Sequence, residues 1–243
     1  MGSPTLIGPE SALSNPPTRL WHALVAIFRE LEATTWGGLL FGNVWPAYLF
    51  ALPLGARALT LRRLLPTDGS VHAGAQLLQE VVTIAFLAET VILFAIRRRG
   101  IAGQRATLTP ALVALLGTFI LNVVAYLPVD DATSTASLFA SSAVIILGTL
   151  FTIWSLATLG RCFGLLPEVR GLVIRGPYSL VRHPVYLGEI VSAIGLLLAK
   201  PHPLVVAIFV AFVGLQVGRT VFEERALTAA FPEEYPALVR RVP

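Results

Sequence analysis

Residues 132–160 read ATSTASLFASSAVIILGTLFTIWSLATLG, a stretch without a single Asp, Glu, Lys or Arg. Three further stretches share this property, namely residues 33–56, 106–129 and 201–218. A helix needs roughly 18–20 apolar residues to cross the hydrocarbon core of a bilayer. Because each stretch approaches or exceeds this length, the sequence predicts an all-α polytopic membrane protein and excludes a soluble domain, a disordered chain and a disulfide scaffold.

The composition agrees with this class. Of the 243 residues, 55% are hydrophobic and 13% are charged, whereas soluble domains carry about 25% charged residues. The net charge of +4 would suggest nucleic acid as a partner of a soluble chain. Here the arginines flank apolar spans, so we expect membrane lipids and no nucleic acid. A single cysteine, Cys162, excludes an internal disulfide and a cysteine-based zinc site, and no metal is expected.

Hydrophobic patterning and prolines divide the chain into three regions. Residues 1–35 are predicted to form a disordered tail followed by an amphipathic interfacial helix. Residues 36–135 carry transmembrane spans without a motif of their own, and residues 136–243 form a core that includes a C-terminal helical hairpin. Five or six spans are predicted in all, at about 36–56, 76–96, 107–127, 136–159, 185–199 and 203–221.

Arginine placement predicts the orientation in the membrane, because cytoplasmic loops are enriched in basic residues. Both termini are expected in the cytoplasm, and the acidic pair Asp130–Asp131 is expected outside. Three arginines at positions 57–63 conflict with the six-span version, since they would lie outside. Many arginines and one lysine favour a bacterial source, and hence the inner membrane. The basic segments that we assign to the cytoplasm are 97–105, 161–182 and 225–241.

Two segments concentrate polar side chains that could carry chemistry. Residues 160–184 are long for a loop between membrane helices and gather Arg, His, Tyr and Gly, and such long connections are commonly functional. Arg219 and Glu223 are four residues apart and share a helix face, although this spacing also fits an ordinary interfacial ion pair. Glu80 and Glu89 of the second span are further candidates, but Glu89 could equally pair with an arginine or stay protonated.

Three motifs in the C-terminal part carry a resemblance to a known family. They are Gly-Pro-Tyr-x3-Arg-His-Pro-x-Tyr-x-Gly at 176–188, Arg-x3-Glu-Glu at 219–224 and Phe-Pro-Glu-Glu-Tyr at 231–235. In this order, with a helical hairpin between the first two, they resemble the isoprenylcysteine carboxyl methyltransferase family. Its wider superfamily includes membrane phospholipid N-methyltransferases. The likeness covers about residues 150–243, and Pro232 stands where that family usually has glycine.

The resemblance implies methyl transfer from S-adenosylmethionine to a lipophilic acceptor, with S-adenosylhomocysteine as the product. A carboxylate is the expected acceptor, and an amine or thiol remains open. Arg219 matches the family's arginine at the substrate group, so the resemblance makes it the catalytic and substrate-binding residue. The core at 136–243 would then be the methyltransferase part, with a cytoplasmic cofactor pocket. The cofactor-binding residues implied are Arg170, Gly171, Leu172, Val173, Tyr178, His183, Pro184, Val185, Tyr186 and Glu223.

These residue types suit the chemistry that the resemblance implies. The donor carries a positive sulfonium and an ammonium group, which the Glu223 carboxylate would complement in a desolvated site. Tyrosine and histidine rings offer apolar faces with polar tips to adenine and ribose. Arg219 could hold a carboxylate at two points. An ionised carboxylate needs no general base, so catalysis would rest on positioning and on exclusion of water.

Two other functions remain open from the sequence. An NADPH-dependent, sterol-type membrane reductase shares an Arg-His-Pro-x-Tyr-like motif, but it would need more basic groups for the cofactor phosphates than this segment offers. A non-enzymatic membrane accessory protein could keep the same fold. Transport is disfavoured, because the spans before residue 160 carry few polar residues that could line a path.

Overall fold

The computed structural model describes residues 40–64, 71–97, 108–126, 135–166 and 168–243, and every regular element within them is helical. The all-α membrane class is thus confirmed. The predicted tail and interfacial helix at 1–35 lie outside the described residues, as do the Asp130–Asp131 turn and most of the basic segment 97–105. Residues from Ala47 onward form one compact unit, which contains all the features discussed below.

Seven α-helices are described, and shorter 3-10 segments extend or connect some of them. The α-helices are α1 (Trp45–Leu64), α2 (Val71–Ile96), α3 (Leu108–Phe119), α4 (Thr135–Leu159), α5 (Pro184–Ala199), α6 (Pro203–Ala230) and α7 (Glu234–Val239). A 3-10 helix, Ile120–Tyr126, continues α3, and two more at Gly160–Cys162 and Gly176–Ser179 lie between α4 and α5.

Among the described residues, three stretches are helical, long and apolar enough to cross a membrane. They belong to α2, to α4 with its 3-10 extension and to α6, and two shorter apolar helices, Thr109–Val124 and Pro184–Ala199, accompany them. Helix α1 continues to Leu64, past residue 56 at which the first predicted span ends. Its later turns carry Arg57, whose Nη1 lies 2.6 Å from Oε1 of Glu80 in α2. Glu80 is therefore the partner of one of the three arginines that conflict with the six-span version.

Small residues bring α4 and α5 close together. A Cβ on Gly195 would lie 2.8 Å from both the Ile145 nitrogen and the Ser141 carbonyl oxygen. Farther along the same interface, Oγ1 of Thr149 and Oγ of Ser192 are 3.2 Å apart. Close backbone approach and short polar side chains are the usual means by which helices associate in lipid. This contact holds α5, whose first turn carries part of the predicted site, against α4.

We expect Gly195→Ala to destabilise the protein by about 1–3 kcal/mol, because the added methyl group meets backbone atoms that cannot turn aside. Thermal unfolding in detergent measures this effect. Gly214→Ala is the matched control, since a Cβ on Gly214 of α6 meets nothing within 4 Å. Equal melting temperatures for the two variants would contradict the close packing described here.

The loop between α4 and α5 turns at two glycines with positive φ. Gly160 (φ 53°) follows α4 and Gly176 (φ 57°) opens a 3-10 turn, a backbone conformation that glycine adopts at little cost. Beside the first turn, Nε of Arg161 donates to the Ile96 carbonyl oxygen at 3.2 Å, which ties the loop to the end of α2. Pro184 begins α5, where its missing N–H loses no helical hydrogen bond.

Candidate active site

A cavity of about 150 Å³ that is partly open to its surroundings lies among this loop, α5 and α6. Ten of the eleven residues that the sequence assigned to the site line it. The exception is Pro184, which is buried at the first turn of α5. The remaining wall includes residues of α1, α2 and α3, which carry no motif. The structure therefore brings the predicted set together, while the role of each residue stays a prediction.

Glu223 occupies the centre of a small polar group. The Tyr186 hydroxyl donates a hydrogen bond to its carboxylate, and Nδ1 of His183 lies 3.6 Å from its Oε2. The His183 and Tyr186 rings stack with their centroids 5.8 Å apart and an interplanar angle of 7°. The stack forms because Arg-His-Pro-x-Tyr places the histidine just before α5 and the tyrosine in its first turn, on the side that faces α6.

His183 also meets the next residue of α6, Glu224. Nε2 of His183 and Nη1 of Arg182 lie 3.2 Å and 2.5 Å from the same oxygen, Oε1 of Glu224. Tyr235 of α7 is buried beside this pair, and its pKa is raised to about 12, chiefly by burial and further by the Glu224 charge. Arg182, Glu224 and Tyr235 line or support the cavity, and the sequence analysis quoted them in motifs without giving them a role.

Arg219 is buried between α5 and α6 and has three partners. Its guanidinium carbon lies 4.5 Å from the centroid of the Tyr186 ring. Its Nη1 donates to Oε1 of Gln216 at 3.1 Å and lies 3.7 Å from Oε2 of Glu189. Gln216 in turn donates to that Glu189 oxygen. Glu189 and Gln216 are not among the predicted site residues, and the pairing of α5 with α6 brings them to Arg219.

The loop residue Arg170 uses its side chain within the loop. Its guanidinium donates to the carbonyl oxygen of Glu168 at 3.0 Å and to Oε2 of Glu168 at 2.6 Å. Burial lowers the pKa of Arg170, and the Glu168 charge opposes this shift. Gly164 makes room for the guanidinium, since a Cβ there would overlap it. The segment Arg170–Val173, which the resemblance assigns to the cofactor, is thus fixed in the cavity wall.

We expect Arg170→Met to lower the unfolding free energy by about 2 kcal/mol, because two charge-assisted hydrogen bonds are lost and Glu168 is left without its partner. S-adenosylhomocysteine affinity should fall with it, since the 170–173 backbone loses its support. Thermal unfolding and calorimetry measure the two effects. Arg175→Met, at an exposed position of the same loop, serves as the control. Wild-type values for Arg170→Met would refute this account of the loop.

Tyr178 lies in the wall next to this segment. Burial raises its pKa above the usual range, and the Glu223 charge adds to the shift. The phenol therefore stays protonated and remains a hydrogen-bond donor for a polar ligand group. Among the described residues, no group of three His, Cys, Asp or Glu side chains is arranged to hold a metal ion.

The comparison with known families points to the class of protein that this cavity supports, a membrane methyltransferase. Residues 136–234 match the family model described as phospholipid methyltransferase. That family lies in the membrane methyltransferase superfamily that includes the isoprenylcysteine carboxyl methyltransferases, so the resemblance found in the sequence is confirmed. No match was found among curated protein sequences.

Proposed function

We propose that this protein transfers the methyl group of S-adenosylmethionine to a lipophilic acceptor within the membrane. The observation that carries the proposal is the charge pattern of the cavity. Three arginines reach it, and each has a carboxylate neighbour. The pairs are Arg170 with Glu168 at 2.6 Å, Arg182 with Glu224 at 2.5 Å and Arg219 with Glu189 at 3.7 Å.

Glu223 is a fourth carboxylate and belongs to none of these three pairs. Among the described residues its basic neighbour within ion-pair distance is His183, at 3.6 Å. A spare negative charge in a partly enclosed cavity favours a cationic ligand, and this supports S-adenosylmethionine over the phosphate-bearing NADPH. When bound, S-adenosylmethionine supplies an electrophilic methyl carbon, and the electrons of the broken carbon–sulfur bond return to sulfur.

The residues of the cavity would bind the cofactor and orient it. The 170–173 backbone and the Tyr178 hydroxyl offer hydrogen bonds to adenine and ribose, and the stacked His183 and Tyr186 rings offer flat apolar faces. Residues 136–243 would form the methyltransferase core. The cavity would open to the cytoplasmic side of a bacterial inner membrane. We therefore expect solvent to reach the donor from one side and the acceptor to arrive from the lipid.

For the acceptor we propose a carboxylate that Arg219 holds. The buried Nε of Arg219 has no hydrogen-bond acceptor among the described residues, and a substrate carboxylate would supply one. An amine is the second candidate, because Glu189 lies beside Arg219 and offsets part of its charge. The description of the matching family as phospholipid methyltransferase also favours an amine.

Ligand-induced thermal shift tests the cofactor. Saturating S-adenosylhomocysteine should raise the melting temperature, because a ligand that binds only the folded state stabilises it by mass action, and NADPH should not. A shift with NADPH alone would favour the reductase, and no shift with either would favour a non-enzymatic protein. Transfer of a radiolabelled methyl group to a panel of lipophilic acids, amines and thiols then identifies the acceptor class.

A further inference from the structure

The loop between α4 and α5 has an outer side that faces away from the cavity. Val173 and Tyr178 of this loop line the cavity. Two large apolar side chains of the same segment, Ile174 and Leu180, are instead 56% and 58% exposed. They stand on either side of the 3-10 turn Gly176–Ser179, outside the helices that could cross a membrane. Exposed apolar side chains in a polar segment mark a contact with a partner or with a membrane.

The turn rests on the end of an exposed strip of α4. Leu147, Leu150 and Trp154 are three or four residues apart and all exposed, on a helix that is apolar enough to cross a membrane. We call these three residues the lipid-facing strip. Thr158 is the next residue on this helix face, and a Cβ on Gly176 would lie 3.2 Å from both its Cγ2 and its Oγ1. The turn therefore covers the end of the lipid-facing strip from which the loop departs.

Trp154 indicates the depth at which the turn lies. Tryptophan is enriched where the hydrocarbon of a bilayer meets the headgroups, and Thr158 lies about 6 Å farther along α4, at 1.5 Å per residue. The headgroups occupy about 5–7 Å on each side of the hydrocarbon core. With Trp154 at this boundary, the turn that packs on Thr158 lies in the headgroup layer, and Ile174 and Leu180 flank it there.

A positive charge lies next to these apolar side chains. Arg175 follows Ile174 and is exposed, and none of the ion pairs among the described residues includes it. Arg170 and Arg182, which line the cavity from the same loop, both have carboxylate partners. A guanidinium can donate two parallel hydrogen bonds to a phosphate. Basic and apolar side chains in one segment are typical of surfaces that bind anionic lipid headgroups.

We propose that Ile174, Arg175 and Leu180, here called the docking patch, bind the headgroup layer of the surrounding leaflet. The two apolar side chains insert toward the acyl chains, and the guanidinium binds the phosphate of an anionic lipid. The bilayer is the partner, and not a soluble protein, because the turn that carries the docking patch rests on the lipid-facing strip. The loop thus forms a wall of the cavity on one side and a membrane contact on the other.

Spin labels measure the depth of the docking patch. Ile174→Cys and Leu180→Cys are labelled in the full chain, with one copy in each nanodisc, and the signal from the native Cys162 is measured on the unsubstituted chain and subtracted. Leu147→Cys, on the lipid-facing strip, is the reference inside the bilayer. Because the substituted side chains are exposed, all three variants should keep the wild-type melting temperature, which shows that they fold.

We expect dissolved oxygen, which concentrates in the bilayer, to reach the labels at 174 and 180 more readily than a water-soluble nickel chelate does. The label at 147 should show the same preference more strongly, because it lies deeper. Readier access of the chelate than of oxygen at either position of the docking patch would show a surface in water, as a contact for a soluble protein requires, and would overturn the inference.

Photo-crosslinking tests the lipid class. The probes are phosphatidylglycerol and phosphatidylcholine, each with a diazirine at the headgroup end of one acyl chain, and mass spectrometry measures the label on residues 172–182. We expect phosphatidylglycerol to be favoured by about fivefold, the attraction of one basic residue for anionic lipid. Arg175→Gln should abolish this preference, and Arg225→Gln, at an exposed position of α6, is the control. Equal labelling by the two lipids in the wild type, or an unchanged preference in Arg175→Gln, would overturn the inference.

Discussion

Glu223→Gln is expected to lower the affinity for S-adenosylmethionine at least tenfold while leaving the fold intact. Glutamine keeps the size of the side chain and can still accept the hydrogen bond from Tyr186, but it removes the spare negative charge of the cavity. Loss of one partner of a desolvated, hydrogen-bonded charge pair costs about 2–5 kcal/mol. The loss in affinity therefore exceeds the effect of a neutral hydrogen bond.

Calorimetry with three ligands makes this test sharper. If Glu223 faces the sulfonium, binding of S-adenosylmethionine and of sinefungin, which carries an amine at that position, should weaken more than binding of S-adenosylhomocysteine. If it faces the ammonium group, all three should weaken alike. Glu234→Gln, at an exposed position of α7, is the control. Unchanged affinity in both Glu223→Gln and His183→Ala would rule out the assignment of the cofactor site.

Arg219→Lys is expected to abolish most methyl transfer to lipophilic acids, by about a hundredfold or more in kcat/KM, while cofactor affinity changes little. The guanidinium lies over the Tyr186 ring, bonds to Gln216 and keeps Nε free of an acceptor. An ammonium group keeps the charge but cannot reproduce this planar, two-point geometry. The cofactor should still bind, because Glu223 and the 170–173 segment remain.

The assay compares wild type and variant on every acid that the wild type methylates, with Arg175→Lys as the control on the exposed part of the loop. Full activity of Arg219→Lys on these acids would contradict the proposal that Arg219 holds a substrate carboxylate. The methyltransferase proposal itself would not be affected. If the acceptor is an amine, Arg219→Lys should matter little and Glu189→Gln should instead reduce turnover, since Glu189 would position the amine.

The motifs predicted which residues gather at the cavity because they are local, while the roles of these residues stay predictions. Arg-His-Pro-x-Tyr fixes a turn and the first turn of a helix within a few residues, so His183 and Tyr186 stack wherever α5 packs. The four-residue spacing of Arg219 and Glu223 likewise follows from helix geometry. What the sequence could not give is pairing between helices. Glu189 joins Gln216 and Arg219 only when α5 lies against α6, and nothing in either helix alone indicates this register.

The first half of the chain shows the opposite case. Hydropathy located α2 and α3 correctly and ended the first span at 56, just before Arg57. The helix itself continues to Leu64, and Arg57 pairs with Glu80 of α2 at 2.6 Å, a contact that a hydropathy window does not contain. For the same reason the lining residues Phe50, Phe86 and Thr118 looked like ordinary span residues, since an apolar side chain carries no sign of whether it faces lipid or a cavity.

The shortness of α5 has a consequence for the surrounding bilayer. At 1.5 Å per residue, its 16 residues extend about 24 Å, less than the roughly 30 Å hydrocarbon thickness. Nζ of Lys200, at the end of α5 away from the cavity, donates to the Val124 carbonyl oxygen at 3.0 Å. A helix this short spans a bilayer only if the membrane thins around it or if one of its ends lies beneath the headgroups. With Lys200 at one headgroup layer, we expect the bilayer to thin at His183, which would let water reach the proposed cofactor site while the proposed acceptor stays in the leaflet.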